Sequence, residues 1–518
     1  CRQRLLELAD DRQMALEGVV GHDLDAELDQ IVEWSEETST GDRAELPAEP
    51  SSAAWSAISV TSDECPGVNR CPSGDACFAE AARREAAEAD LIVVNTHLYG
   101  IDLATDGAIL PDHDVAIIDE AHQLEDIISA TAGVELSAGR FGDLGRRARA
   151  VVADDELADK IADAGTDLDD ALEAAGDGRL TLEADSDLGR ALTRGRDAAD
   201  RLLAALRNIG GELPPEVAAR KERAQQAATT LITEVDRAWA ATDDDVAYVT
   251  GPPSRRALRV SPIDVGATLQ DSLWNVPTVI LTSATVPDVL PEQIGLGPDS
   301  FQFLDVGSPF DYESAALLYC AMDLPEPRSD EFEEASHAEL ERLIVAAGGR
   351  TLALFTSWRA MGNAVEVLRP RLPWAVLAQG ELPKPALLEQ FRNDPEACLF
   401  ATMSFWQGVD IQGESLSLVV IDKLPFPRPD DPLLEARRER AGRAAFRKVD
   451  LPRAAMMLAQ GTGRLIRSES DKGVVAVLDR RLATSKSYRW DLLAALPPYR
   501  RSRDRDEVEA FLRRLRDE

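Results

Sequence analysis

The chain has 518 residues, 44% of them hydrophobic, and a formal net charge of −37 at pH 7. That length exceeds one hydrophobic core and predicts roughly three or four domains, while no apolar run approaches the ~18 residues of a membrane helix and no signal-peptide pattern opens the chain, so a soluble, cytoplasmic protein is expected. The charge argues on average against a polyanionic partner, because nucleic-acid binding leaves a basic footprint.

The average hides a pattern. Only seven lysines accompany 49 arginines, and the acids are spread along the chain rather than gathered in a tail. A uniformly acidic surface suits a halophilic cytoplasm, where a screening length of ~3 Å at 1 M salt blunts self-repulsion. An acidic surface in an ordinary cytoplasm is the alternative. Local arginine clusters remain free to grip phosphate.

In chain order, four of the six cysteines come first: Cys1, Cys65, Cys71 and Cys77. Cys320 and Cys398 sit in apolar, strand-like surroundings and read as core. Residues 1–64 pass from an arginine-bearing helical pattern into acidic, Ser-, Thr- and Pro-rich sequence that predicts a loosely structured insert. Then come a helix after Cys77, a short strand at LIVVN (91–95), and a buried strand, terminal acids and helix in VAIIDEAHQLED (115–126). Residues 135–245 lack β-branched blocks and predict an all-helical insertion. Strand signals return at TVILTSAT (278–285), TLALFTS (351–357), ACLFATM (397–403), SLVVID (417–422) and GVVAVLD (473–479). Strands alternating with helices predict an α/β chain with parallel sheets, whose ligands bind beyond the carboxyl ends of the strands.

Two motifs carry chemistry at such places. Asp119 and Glu120, before Ala121 and His122, follow an apolar strand; one carboxylate there can hold Mg²⁺ through water and its neighbour can orient the water attacking a γ-phosphate. Acids that merely cap the next helix are the plain alternative. Gln460-Gly461-Thr462-Gly463-Arg464-Leu465-Ile466-Arg467 sets two arginines three apart, which on a helix share one face and can point together at phosphate, against the alternative of a solvated basic face.

DEAH at 119–122, LTSAT at 281–285, WQGVDIQGE at 406–414 and QGTGRLIR at 460–467 resemble, in order and separation, motifs II, III, V and VI of superfamily 2 helicases. CPGVNRCPSGDACF (65–78), VVNTHLYG (93–100), GSPFDY (307–312) and DKLPFPRPDDP (422–432) narrow the resemblance to the XPD/DinG branch of iron-sulfur DNA helicases, nearer the DinG-type pattern. It implies that Asp119 and Glu120 serve Mg²⁺ and the attacking water, and that His122, Ser283 and Thr285 couple the nucleotide site to DNA. Gly408 and Asp410 would line the cleft between two RecA-like motor domains; Gln460, Gly463, Arg464 and Arg467 would reach the phosphates of ATP. Lys423 would contact DNA or the cleft, or be a solvated surface residue.

The Cys65-x5-Cys71-x5-Cys77 spacing fits zinc poorly, since zinc sites use pairs two to four apart, and fits four thiolates around a [4Fe-4S] cluster better. The resemblance assigns Cys1, Cys65, Cys71 and Cys77 to that cluster. Its domain plan here would be a cluster insert at 1–90, motor domain 1 at 91–134 and 246–305, a helical arch at 135–245, and motor domain 2 at 306–518. It implies ATP-driven 5′-to-3′ movement of a monomer on single-stranded and forked DNA, in repair or replication.

One departure stands against the match. A phosphate-binding loop needs Gly-Lys-Ser/Thr, and Gly-Lys occurs nowhere in the chain, which begins at Cys1. The loop is expected upstream. A nucleotide-dead, DNA-binding or redox-sensing protein is the rival; the intact acid and arginine pairs weigh against it.

Overall fold

A computed structural model describes residues 1–6, 22–46, 49–60, 65, 67–105, 107–152, 154–210, 213–402, 405 and 416–517. It divides into two compact units, one of residues 1–118 and 123–280 and one of residues 119–122 and 281–518.

The first unit opens with helix α1 (His22–Glu37) and the short helix Ser52–Ile58, whose apolar positions meet in a small core of Leu5, Leu28, Ile31, Ala54 and Ile58. The cysteine-bearing region therefore has a core of its own, where the composition predicts loose structure. Helix α2 (Phe78–Glu88) follows Cys77. Residues 91–95 form no strand: Leu91 and Val93 are 76% and 88% exposed and no ladder partner lies beside them among the described residues. Among the described residues strand β1 (Val115–Ile118) pairs only with β6 (Thr278–Leu281), and it is buried on one face, through Ala116 and Ile118, while Val115 and Ile117 stay exposed. This corrects the expectation of a fully buried strand. A sheet of two strands covers one face, whereas both faces of a parallel sheet are ordinarily covered.

After α3 (Leu124–Thr131) the chain builds β2 (Val134–Ser137), α4 (Ala138–Arg149), α5 (Asp155–Ala175), β3 (Gly178–Leu180), α6 (Asp187–Asn208), α7 (Pro215–Trp239), β4 (Asp245–Thr250) and β5 (Ala257–Pro262). Asp154 and Ser186 cap α5 and α6 by accepting from Leu157 N and Gly189 N. The insertion is not all-helical. An antiparallel sheet in the order β2-β5-β4-β3 lines it, because Gly178–Leu180 finds a partner in Ala247–Val249 some 70 residues away. Leu136, Val249, Leu258 and Val260 of that sheet join Leu144, Ile161, Leu168, Leu192, Leu202 and Leu231 of the helices in one core, centred on the fully buried Phe141.

The second unit is built on a seven-stranded sheet: β7 (Ala316–Cys320), β8 (Thr351–Phe355), β9 (Val376–Ala378), β10 (Cys398–Thr402), β11 (Leu418–Ile421), β12 (Gly473–Val477) and β13 (Arg500–Ser502), in the order β13-β7-β12-β11-β8-β10-β9. Every pairing in it is parallel. Alternate residues feed opposite faces, as a strand's period of two requires. Leu318, Leu352, Leu354, Val419 and Val475 face α10 (Lys384–Asn393) and α11 (Leu451–Thr462) in one core; Leu317, Tyr319, Ala353, Val420 and Val474 face α8 (Phe332–Ala347), α9 (Trp358–Leu368) and α12 (Arg505–Asp517) in the other. The strand expectations at 278–285, 351–357, 397–403, 417–422 and 473–479 coincide with β6, β8, β10, β11 and β12. Strands β7, β9 and β13 escape the sequence reading; β9 and β13 are three-residue strands without a periodic signal.

Phe141 sits in a slot between two glycines: a Cβ on Gly195 would stand 2.0 Å from its ring and one on Gly165 2.9 Å from its Cβ. Gly195→Ala should therefore destabilise the first unit by about 1–3 kcal/mol despite alanine's better helix propensity, since a buried ring cannot yield. Denaturant melts of the two proteins check this; a stabilised variant would show that the slot is loose.

Candidate nucleotide site and cysteine site

The DEAH turn leaves β1 under strain. Glu120 has φ 51°, a left-handed conformation that costs a non-glycine residue about 1–3 kcal/mol. Thr282 holds the turn from the next segment. Its hydroxyl donates to Asp119 Oδ1 at 2.8 Å and its carbonyl accepts from Ala121 N at 2.9 Å, while Glu120 N also donates to Asp119 Oδ1 at 2.9 Å. Asp119 thus has one oxygen committed to the protein, and both acids are exposed.

His122 points the other way and its side chain is wholly buried. Its Nδ1 lies 2.8 Å from Ser283 Oγ and 3.3 Å from Glu120 Oε2, and its Nε2 lies 2.6 Å from Gln460 Nε2. Ser283 spends its single proton on Thr285 O at 2.8 Å, so it accepts from His122 Nδ1–H. Nε2 is then an acceptor, and the Gln460 amide donates to it. One imidazole in one tautomer joins the DEAH turn, the LTSAT segment and α11. Two polar atoms of this network, Gln460 Oε1 and Thr285 Oγ1, are buried and find no partner among the described residues.

Arg464 and Arg467 are not on the helix, contrary to the spacing argument. Helix α11 ends at Thr462, and Gly463 closes it by donating to Ala459 O at 2.8 Å. The chain turns off because Leu465 and Ile466, each 2% exposed, are drawn into the core beneath the sheet, leaving the arginines on either side of them. Tyr499 Oη donates to the terminal Thr462 carbonyl at 3.0 Å, and Asp471 Oδ2 accepts from Arg467 N at 2.7 Å and Ser468 N at 2.8 Å, so the turn is fixed at both ends. Arg467 Nε is buried without a partner among the described residues. The sequence reading misses two participants. Thr282 is hidden inside LTSAT, and Lys384, whose ammonium lies over the Phe405 ring at 5.0 Å, has its pKa lowered by burial and then by the charge of Arg464. Gly408 and Asp410 lie outside the described residues.

Lys423 follows β11, its ammonium 5.1 Å from the Phe332 ring centroid. Asp422 beside it is buried beneath that position, accepting from Thr356 N at 2.9 Å and Lys423 N at 2.7 Å, and burial pushes its pKa up to about 6.

The four early cysteines are all free thiols. Turns closed by Cys71 N→Gly67 O (3.0 Å), Gly74 N→Cys71 O (2.9 Å) and Cys77 N→Gly74 O (3.2 Å) fold residues 67–77 tightly, helped by Gly67 at φ 80°. A Cβ on Gly74 would meet Val68 O at 2.3 Å. The Cys71 thiol is pushed up by burial and by its neighbours Cys65 and Cys77, and the amino group of Cys1 is pushed down by burial against the opposing pull of Cys77 and Cys65. The four thus share one neighbourhood, although no three metal-binding side chains among the described residues stand at ligating distance of a common point. Four soft, unpaired sulfur donors with turns between them suit a thiolate-held cluster.

A strand-end acid pair, a polar segment from the neighbouring strand and a glutamine preceding two arginines are brought together around His122. The helicase C-terminal domain family model matches residues 340–499. The chain is 38% identical to the ATP-dependent helicase DinG of Mycobacterium tuberculosis, covering 95% of this chain and 76% of that protein, and 35% identical to the ATP-dependent DNA helicase YoaA of Escherichia coli K12, covering 92% and 78%. An XPD helicase structure superposes with TM-score 0.56 at 17% identity, over 82% of this chain and 75% of the other, a likeness of fold. The chain belongs to the XPD/DinG-like family of helicases.

Asp422 yields a pH prediction. Its folded pKa of about 6 lies above the ordinary 3.8, so its contribution to stability is fully present below about pH 4 and is lost as pH rises through 6. Asp422→Asn, which keeps an acceptor for Thr356 N and Lys423 N, should remove that dependence, gaining up to about 3 kcal/mol relative to the parent between pH 4 and 7. Melts across that range, variant against parent, are the check; parallel curves would refute it.

Proposed function

We propose that this chain is the working part of an ATP-dependent DNA helicase that moves 5′-to-3′ on single-stranded DNA and acts on forked DNA in repair or replication, as a cytoplasmic monomer. The observation that carries the reading is the His122 network, in which the strand-end acids, Ser283 and Gln460 share one imidazole. The relatives supply the activity: DinG and YoaA are named ATP-dependent helicases.

Asp119, with one oxygen held by Thr282, would present the other toward Mg²⁺-bound water; Mg²⁺ supplies charge neutralisation of the phosphates. Glu120, exposed and set by its strained backbone, would orient the attacking water. Arg464 and Arg467, held by the Gly463 and Asp471 turns, would meet the charge developing on the phosphates; Gly408 and Asp410 belong to the motif V segment that the resemblance assigns to the same site. His122, Ser283 and Thr285 would pass the state of the site to the DNA-binding surface through Gln460. A nucleotide-dead protein has no need of a strained glutamate or of a buried glutamine oxygen that finds no partner among the described residues.

The domain plan we favour keeps a cluster insert at 1–90, a motor domain at 91–134 and 246–305, an arch at 135–245 and a second motor domain at 306–518. Cys1, Cys65, Cys71 and Cys77 would hold a [4Fe-4S] group, which fixes the insert and can exchange an electron. The acidic surface fits a halophilic cytoplasm.

Because the chain has no Gly-Lys-Ser/Thr loop, its own ATP turnover should be slow. Joined to a segment bearing that loop it should hydrolyse ATP with single-stranded DNA present, and there Arg467→Ala should lower kcat by about 10³ or more while DNA affinity holds. Steady-state ATPase and DNA binding measure both; affinity lost with ATPase intact would move Arg467 to a DNA face. Protein purified without oxygen should carry about four irons per chain, absorb broadly near 400 nm and bleach on Cys71→Ser. Zinc in place of iron would sink the cluster assignment.

A further inference from the structure

Two segments of the second unit depart from the acidic character of the chain. Residues 437–448 hold six cationic side chains and one acid, and residues 480–489 hold four and no acid, in a protein of net charge −37. The fold joins these segments through aromatic rings. The Phe446 ring lies 5.6 Å from that of Tyr488 and 5.8 Å from that of Phe426, and Tyr488 meets Phe426 edge-on at 5.4 Å. Arg481 stands over Phe426 at 5.8 Å. Phe426 and Tyr488 are half-buried, whereas Phe446 is 39% exposed and forms the outer member of the three.

One exposed phenylalanine is ordinary on a protein surface. This one opens a π-helical turn, Phe446–Asp450, a rare conformation that occurs mostly as single turns and often at functional sites. The turn is held from behind. Arg438 meets Asp450 Oδ1 at 2.9 Å and donates to the carbonyls of Pro429 and Arg428 at 3.0 Å each. Lys448 is paired with Glu292 at 2.6 Å. Arg443, Arg447 and Lys486 flank the rings in sequence, are exposed, and form no ion pair among the described residues. Cations kept apart from acids beside an exposed ring suit a single-stranded nucleic acid: phosphates are drawn to the former and an unpaired base stacks on the latter. A duplex keeps its bases stacked on one another and offers the ring no face.

We propose that Phe446, carried on its π-helical turn and backed by Tyr488 and Phe426, is a base-stacking residue by which the second unit selects single strands over duplex, with Arg443, Arg447 and Lys486 taking the neighbouring phosphates. The inference deepens the single-stranded DNA reading given above and rests on it. The ring supplies the preference for unpaired bases, and the cations supply an affinity that is blind to strand type and weakens with salt.

The test compares the full chain with Phe446→Ala, Phe446→Trp and the double variant Arg443→Gln/Arg447→Gln. Fluorescence anisotropy across a salt series measures the binding of a labelled oligothymidylate, an abasic strand of the same length and a duplex, and thermal melts check each fold. Phe446→Ala should bind the oligothymidylate about 5- to 100-fold more weakly, while its affinity for the abasic strand and the duplex stays at the parent's. Phe446→Trp, which keeps a stacking face, should bind like the parent. The double arginine variant should weaken oligothymidylate and abasic strand alike and lower the salt slope by about 1.4. A folded Phe446→Ala that binds the oligothymidylate as the parent does would overturn the proposal. An equal loss on the abasic strand would overturn it too, making the face a general polyanion surface, as would a loss that Phe446→Trp fails to restore. A parent chain that binds no single strand would overturn the DNA reading itself, and the parent's own titration separates that failure from the others.

Discussion

The arrangement at the DEAH turn depends on a single acceptor atom, His122 Nε2. Ser283 gives its proton to Thr285 O, which obliges His122 to carry its own proton on Nδ1 and leaves Nε2 bare for the Gln460 amide. A second proton on the imidazole would set a donor against a donor at 2.6 Å. Turning the amide over would place Gln460 Oε1 against Nε2 and would require that proton. Imidazole charge and amide orientation are therefore locked together, and both report on Glu120, whose carboxylate lies 3.3 Å from Nδ1. This is how a strand-end acid and a helix in the second half of the chain come to share one state without touching.

The surroundings make that lock rigid. The last turn of α11 has its terminal carbonyl taken by Tyr499, and Leu465 and Ile466 are buried immediately beyond it, so Gln460 cannot slide along the helix axis without lifting two side chains out of the core. On the other side Thr282 grips Asp119 and Ala121 N at once. The strain at Glu120 persists because its neighbours on both sides are fixed. Gln460 Oε1, Thr285 Oγ1 and Arg467 Nε are buried here without a partner among the described residues.

Much of this was legible in the chain. The blocks around 351–357, 397–403, 417–422 and 473–479 read as buried strands because each is apolar throughout, as parallel strands covered on both faces must be. DEAH, LTSAT and QGTGRLIR were legible as motifs of the family because residue type and order define them. The details that failed are those set by partners far away in sequence. LIVVN has strand composition but no ladder neighbour, so propensity alone leaves it extended and exposed. The arginine pair was placed on a helix by counting, and the burial of Leu465 and Ile466 overrode the count. Gly178–Leu180 is a strand only because β4 passes beside it.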